Sequence, residues 1–217
     1  MGSRHAVGPA SVFLAALRGL AGLAAGALAC GPAAAEVIER NGYSFSDELG
    51  DFRLISVEGE GTRDAPFVIT EEMTGIAPAT LVIRRTRVAA YGDTAELAYG
   101  LWTSLAVEIR LANASGRSWS GFELELQEKR DQPSVYGDGL SFDQGHKVPE
   151  GIGSDLFRRF ERMTEPYDRI QFTGGDVDDG ETVRFSAYIT DPTPTPVFYL
   201  LQDPKLHFAA LGITAVE

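Results

Sequence analysis

Strict alternation of apolar and polar residues constrains this chain more than any other feature. In SLAVEIRLAN (104–113), Leu105, Val107, Ile109 and Leu111 share one face while Glu108 and Arg110 occupy the other. GFELELQEK (121–129) repeats the pattern, with Phe122, Leu124 and Leu126 inward and Glu123 and Glu125 outward. TVRFSAYIT (182–190) does so through Val183, Phe185, Ala187 and Ile189. A period of two with one wet face belongs to antiparallel strands, because a parallel sheet covered on both sides reads as continuous apolar runs. FRLISVE, FVITEE, ATLVIRRTRVAAY, YDRIQFTGG and PVFYLLQDP add further apolar runs between turn residues, and LHFAALGIT supplies a last edge or capping strand. Eight or nine short strands with no βαβ rhythm predict an all-β fold. The expected architecture is an antiparallel two-sheet β-sandwich, Ig-like or jelly-roll-like, in one domain over 52–217, with closure into a barrel as the alternative.

One segment breaks the alternation. SDLFRRFERM places Leu156, Phe160 and Met163 at i, i+4, i+7, with Ser154 able to cap, Asp155 in the first turn and Pro166 beyond the end. This spacing predicts one short helix near 154–163. The mixed polar stretch 36–51 reads as a flexible N-terminal segment ahead of the sandwich.

Residues 1–35 read as a secretory signal peptide. A weakly basic start precedes VFLAALRGLAGLAAGALAC, and Ala33 and Ala35 form the small-x-small pattern of a cleavage site. Arg18 leaves about eleven uncharged residues before Cys30, against roughly 20 for a spanning helix, so no transmembrane span is expected after cleavage. GALAC also resembles a lipobox, which makes a lipid anchor at Cys30 the alternative, although Ala27 stands where that motif has a leucine. Either way the product is exported, periplasmic or extracellular, with an outer-membrane lipoprotein as the second option. Cys30 is the only cysteine, so a chain cleaved after Ala35 has no disulfide, thiolate zinc site or cysteine nucleophile. The chain carries −12, and loss of Arg4 and Arg18 with the acid-free leader takes it to −14. That surface lacks the basic stripe that neutralises phosphates, which excludes nucleic acid as a partner.

Two acidic loops suggest a cation site. SVYGDGLSFDQGH (134–146) offers Asp138 and Asp143, yet its glycines bracket an aspartate as in a tight turn, and Leu140 to Asp143 alternate like a short strand. GGDVDDGET (174–182) gathers Asp176, Asp178, Asp179 and Glu181, without EF-hand spacing, and fits a hairpin tip. A turn is the first reading of both loops, and Ca2+ held by these carboxylates is the second; no other cofactor is expected. Trp119 and Tyr136 form a candidate aromatic platform for a glycan, although large aromatics serve cores before they serve sites.

Catalytic signatures are broken. GRSWSG lacks the second glycine of a nucleophile elbow and leads into a strand, and GEGTRD lacks the third glycine and the helix of a dinucleotide loop. Only His146 and His207 remain after the leader as imidazole bases. No catalytic residue is assigned, and no enzyme is expected.

The order SLAVEIRLANASGRSWSGFELELQE, YGDGLSFD, FTGGDVDDGETVRFSAYIT, PVFYLLQDP resembles uncharacterised exported bacterial β-sandwich domains, some of them in the PEP-CTERM group of surface proteins. The resemblance covers 97–202 and implies a fold and a compartment. The sequence ends at GITAVE without the hydrophobic anchor and basic tail of that group, so sorting by that route is not expected. The expectation is a non-enzymatic exported binding or scaffolding β-sandwich, with an envelope protein or a glycan as partner. The alternative is a carbohydrate-binding module, stabilised by calcium.

Overall fold

The computed structural model describes residues 35–86, 103–135, 137–143, 145–146, 151–163 and 167–206. Among the described residues there is no helix. The strands are β1 (Val37–Arg40), β2 (Tyr43–Ser46), β3 (Arg53–Glu58), β4 (Phe67–Met73), β5 (Ala79–Arg85), β6 (Thr103–Asn113) and β7 (Trp119–Gln127). They continue with β8 (Ser141–Phe142), β9 (Gly153–Ser154), β10 (Arg159–Met163), β11 (Arg169–Val177), β12 (Thr182–Asp191) and β13 (Val197–Leu206). The leader, Cys30 included, and the strand expected beyond Leu206 lie outside the described residues. No helix among the described residues is long and apolar enough to cross a membrane.

The strands form two open sheets, as a sandwich requires and a barrel does not. One runs β1-β2-β5-β13-β7-β11-β10, the other β3-β4-β6-β12-β8, with β9 also paired to β12. Every pair is antiparallel except β4 and β6, which run parallel from Phe67 opposite Val107 to Met73 opposite Asn113. The path explains the exception. β5 follows β4 but lies in the other sheet, so the chain re-enters its first sheet in the direction it left.

The inward faces meet through aromatic rings. Phe185 of β12 lies 4.6 Å from Phe122 of β7 and 4.8 Å from Phe172 of β11, between ring centroids. Phe45 of β2 meets Phe67 of β4 at 5.1 Å. Each such buried ring contributes about 3–5 kcal/mol relative to alanine. On the opposite side of β7, Glu123 and Glu125 point outward as expected but are buried. Arg169 bridges both, and Lys205 lies 3.7 Å from Glu123, so these long side chains cover the carboxylates.

The helix expected near 154–163 is not formed. Ser154 does accept N–H groups from Leu156 and Phe157, but the turn it caps is not continued. Phe157 enters the core 6.0 Å from Phe185, and Arg159–Met163 pair as an edge strand with β11. The i, i+4, i+7 spacing misled because the anchor is Phe157, while Phe160 is exposed. Gly175 makes this crossing sterically feasible: a Cβ there would lie 1.9 Å from the carbonyl oxygen of Leu156. The segment 36–51 also departs from its expected flexible state. Its residues form the β1–β2 hairpin, and β2 pairs with β5 and delivers Phe45 to the core.

A carboxyl and an amide meet between the sheets. Glu71 shares its face of β4 with Phe67, Ile69 and Met73, and is fully buried. Gln202 of β13 reaches across from the other sheet, and its Nε2 donates to Glu71 Oε2 at 2.6 Å. Glu71 Oε1 and Gln202 Oε1 have no hydrogen-bond partner. Burial pushes the Glu71 carboxyl up to about 8, opposed by the Gln202 hydrogen bond and reinforced by the nearby Asp47. The folded chain therefore keeps a proton that the unfolded chain gives up near 4.5, so rising pH favours unfolding through this window. Denaturant titrations between pH 5 and pH 8 should show wild-type stability falling relative to Glu71→Gln, by roughly 1 kcal/mol per pH unit at the steepest. Parallel curves for the two proteins would mean that Glu71 is charged in the core.

Candidate functional site

The outer face of the six-stranded sheet carries a cleft assembled by two loops. The first is GEGTRDAP (59–66), between β3 and β4. Gly59 has φ of +85°, and a Cβ there would lie 2.0 Å from the Pro66 carbonyl oxygen; at Gly61 a Cβ would lie 2.4 Å from the Phe67 ring. Only glycine fits either position. Glu60 N and Thr62 N donate to Ala65 O, and Ala106 N of β6 donates to Gly61 O. The Asn41 side chain donates to Glu60 O at 2.7 Å. A loop fixed at so many points holds Arg63 over the Tyr188 ring, with the guanidinium carbon 3.9 Å from the ring centroid. At that distance the ring's negative face attracts the cation.

The second loop follows β8, the short strand expected in SVYGDGLSFDQGH, which pairs with Ile189 and Thr190 of β12. Asp143 then takes φ of +50°, and the His146 N–H donates back to its carbonyl at 3.2 Å. Arg162 of β10 donates to three carbonyls of this turn: Phe142 at 2.9 Å, Asp143 at 2.6 Å and His146 at 2.7 Å. The Asp143 side chain is 1% exposed, and its Oδ1 lies 2.6 Å from His146 Nδ1 and 3.9 Å from Arg63 Nη2. With its proton on Nδ1 the imidazole donates to Asp143 Oδ1 and leaves Nε2 as an acceptor, while Asp143 Oδ2 is buried without a hydrogen-bond partner.

Between the loops lies a cleft of about 370 Å3, lined by Arg63, Ser104, Asp143, His146, Tyr188 and Pro192 among others. A recess of about 190 Å3 shares Arg63 and Tyr188 and extends to Glu108. Ser104 and Tyr188 hydrogen-bond to each other through their hydroxyls. Chemically the cleft presents a cation, an imidazole acceptor and two hydroxyls. It can bind a polar ligand, but the Ser104 hydroxyl is engaged by Tyr188 and not by His146, so no nucleophile–base pair is set up.

The residues expected to form sites are dispersed. Trp119 is fully buried, packs 5.6 Å from Phe122 and donates its indole N–H to Ser115 at 3.1 Å. It has no open face for a glycan, which corrects the platform reading; Tyr136 lies outside the described residues. Asp138 accepts from the Ser134 hydroxyl, Val135 N and Leu140 N, closing its own turn. In the 178–181 turn, Asp178 accepts from the Ser118 hydroxyl, Asp179 from Gly116 N and Glu181 from Asp178 N. These carboxylates tie one hairpin tip to another, and Asp176 stays within β11. Among the described residues no three acidic or imidazole groups converge as a ligand set for a metal. Of the six acids only Asp143 reaches the cleft. Arg63, Ser104 and Tyr188 were not singled out by the sequence. The signal for Tyr188 was its outward parity in TVRFSAYIT, an aromatic on the polar face. No family model, curated protein or solved structure matches the chain.

The three carbonyls held by Arg162 imply a specific loss. Replacing it with alanine should lower stability by about 1–3 kcal/mol and accelerate amide exchange at His146. Hydrogen exchange across 142–146 at the wild-type rate would show that another contact anchors the turn.

Proposed function

We propose that this chain is a non-enzymatic, exported β-sandwich of the bacterial periplasm or envelope, and that it binds a polar ligand in the Arg63–Tyr188 cleft. The observation that carries the binding role is the construction of the 59–66 loop. Two glycines with no room for a side chain and a set of backbone hydrogen bonds hold one half-exposed arginine over one tyrosine, beside a cavity. Fixed donors on a rigid sheet lower the ordering cost of binding. The carbohydrate-binding alternative moves with the geometry from Trp119 to Tyr188.

Export rests on the leader pattern in 1–35 and accords with the likeness to exported bacterial β-sandwich domains. The β1 segment adds support. Glu36 N lies 2.7 Å from Asp47 Oδ1, so cleavage after Ala35 would convert that amide into an ammonium already facing a carboxylate. Terminal sequencing of the protein from an exporting bacterial host should therefore begin at Glu36. A lipid-modified chain beginning at Cys30 would replace this reading with the lipoprotein one.

The binding role is tested by two-dimensional NMR with a panel of small sugars, carboxylates and amines. Shifts should concentrate at 61–65, 104–106, 145–146 and 186–190, and should fade in Tyr188→Ala. Binding that maps to another surface would remove the cleft from the function.

A further inference from the structure

We propose that the cleft takes a monocarboxylated saccharide of the hexuronate class, its carboxylate held by Arg63 and its ring hydroxyls by His146 Nε2 and the Ser104–Tyr188 hydroxyl pair. This rests on the binding role proposed above and specifies its ligand.

Arg63 supplies the first argument. No N–H of its guanidinium donates a hydrogen bond among the described residues, and the carboxylate oxygen beside it, Asp143 Oδ1, is 3.9 Å away, beyond hydrogen-bond reach. The group is steadied by Tyr188, and no described residue occupies its donors. A planar fork of N–H donors matches a planar oxyanion, which it can engage with two parallel bonds. Hydroxyls of a neutral sugar could accept from those donors one at a time, but they bring no countercharge, so a carboxylate makes the stronger, charge-assisted and bidentate pair.

Charge then selects among anions. Asp143 stands beside the guanidinium and Glu108 lines the adjoining recess, in a chain of net charge −12. A dianionic phosphate meets more of this repulsion than a single carboxylate does. An amino acid fits worse for a different reason, since its ammonium needs an open carboxylate. Asp143 is buried with Oδ1 on His146, and Glu108 accepts from Arg110 Nε at 2.7 Å. The remaining groups suit hydroxyls. The imidazole offers an acceptor, and each hydroxyl of the Ser104–Tyr188 pair keeps spare hydrogen-bonding capacity. At about 370 Å3 the cleft falls within the usual size of small-ligand sites.

The test is a titration of the purified protein, by calorimetry and NMR, with glucuronate, galacturonate, glucose, acetate and glucose 6-phosphate. At least one uronate should bind about tenfold or more tightly than glucose, as expected for a charge-assisted pair, with shifts at Arg63, Ser104, His146 and Tyr188. Arg63→Lys should lose most of that advantage despite keeping the charge, and Arg63→Ala should level uronate with glucose. Thermal unfolding of both variants checks that the exposed substitution leaves the fold intact. Glucose binding in the cleft as tightly as uronate would overturn the carboxylate claim and leave the binding role standing. Acetate equal to uronate would overturn the saccharide claim, and tighter glucose 6-phosphate would assign the fork to phosphate. Silence from every ligand here and in the wider panel would sink both.

Discussion

Phe185 sits where the two sheets close on each other, in contact with Phe122, Phe157 and Phe172. Its strand, β12, is held in register along its whole length by β6, from Thr182 opposite Ala112 to Asp191 opposite Thr103. Because side chains alternate, the register that sends Phe185 inward sends Ser186 and Tyr188 outward. A slip of one residue would exchange the faces, placing Tyr188 in the core and Phe185 in water. The aromatic floor of the cleft is therefore fixed by the same packing that stabilises the sandwich.

The cleft also depends on both sheets at once. Tyr188 and Ser104 belong to the six-stranded sheet, but Arg162, which holds the 142–146 turn by three carbonyls, comes from an edge strand of the seven-stranded one. The 59–66 loop is held separately, by close glycine contacts and by Ala106 of β6. Loops that must place one arginine and one histidine within reach of a common ligand gain from such independent anchors, because an ångström of play would separate the two groups. Asp143 shows the same logic on a smaller scale: it is buried, takes a left-handed backbone and supports the imidazole above it.

Much of the sandwich was legible in the sequence, because burial on one face leaves a period of two that survives without any tertiary knowledge. β6, β7 and β12 were plain for that reason. The 154–163 segment was not, since its three apolar residues fit a helical period while the ring that anchors it, Phe157, falls off that period. The parallel pairing of β4 with β6 was hidden too, as it depends on which sheet β5 joins. Glu71 left a readable trace: in FVITEEM it takes the parity of Phe67, Ile69 and Met73, and so had to be buried. The cleft left almost none. Arg63 and Tyr188 are 125 positions apart, and only the folded register of β12 and the path of the 59–66 loop bring them together. Trp119 misled in the usual direction, an aromatic whose size serves the core.

Glu71 and Asp143 are both buried, in very different surroundings. Glu71 has only an amide as its partner, with Asp47 nearby, and its proton is retained. Asp143 has His146 at 2.6 Å and Arg63 at 3.9 Å, at the edge of an open cleft. The first arrangement sets how stability varies with pH; the second places a buried carboxylate beside the arginine and the histidine of the cleft. In a chain of net charge −12 a cation presented to solvent beside a cavity stands against the prevailing field. That field repels an anionic ligand at a distance but is screened beyond about 8 Å at physiological salt. Inside that distance the guanidinium, the imidazole and the hydroxyl pair act directly. For the proposed ligand, selectivity would therefore reside in contact geometry and not in long-range steering, and the rigidity that the sandwich lends to these groups would matter more than their number.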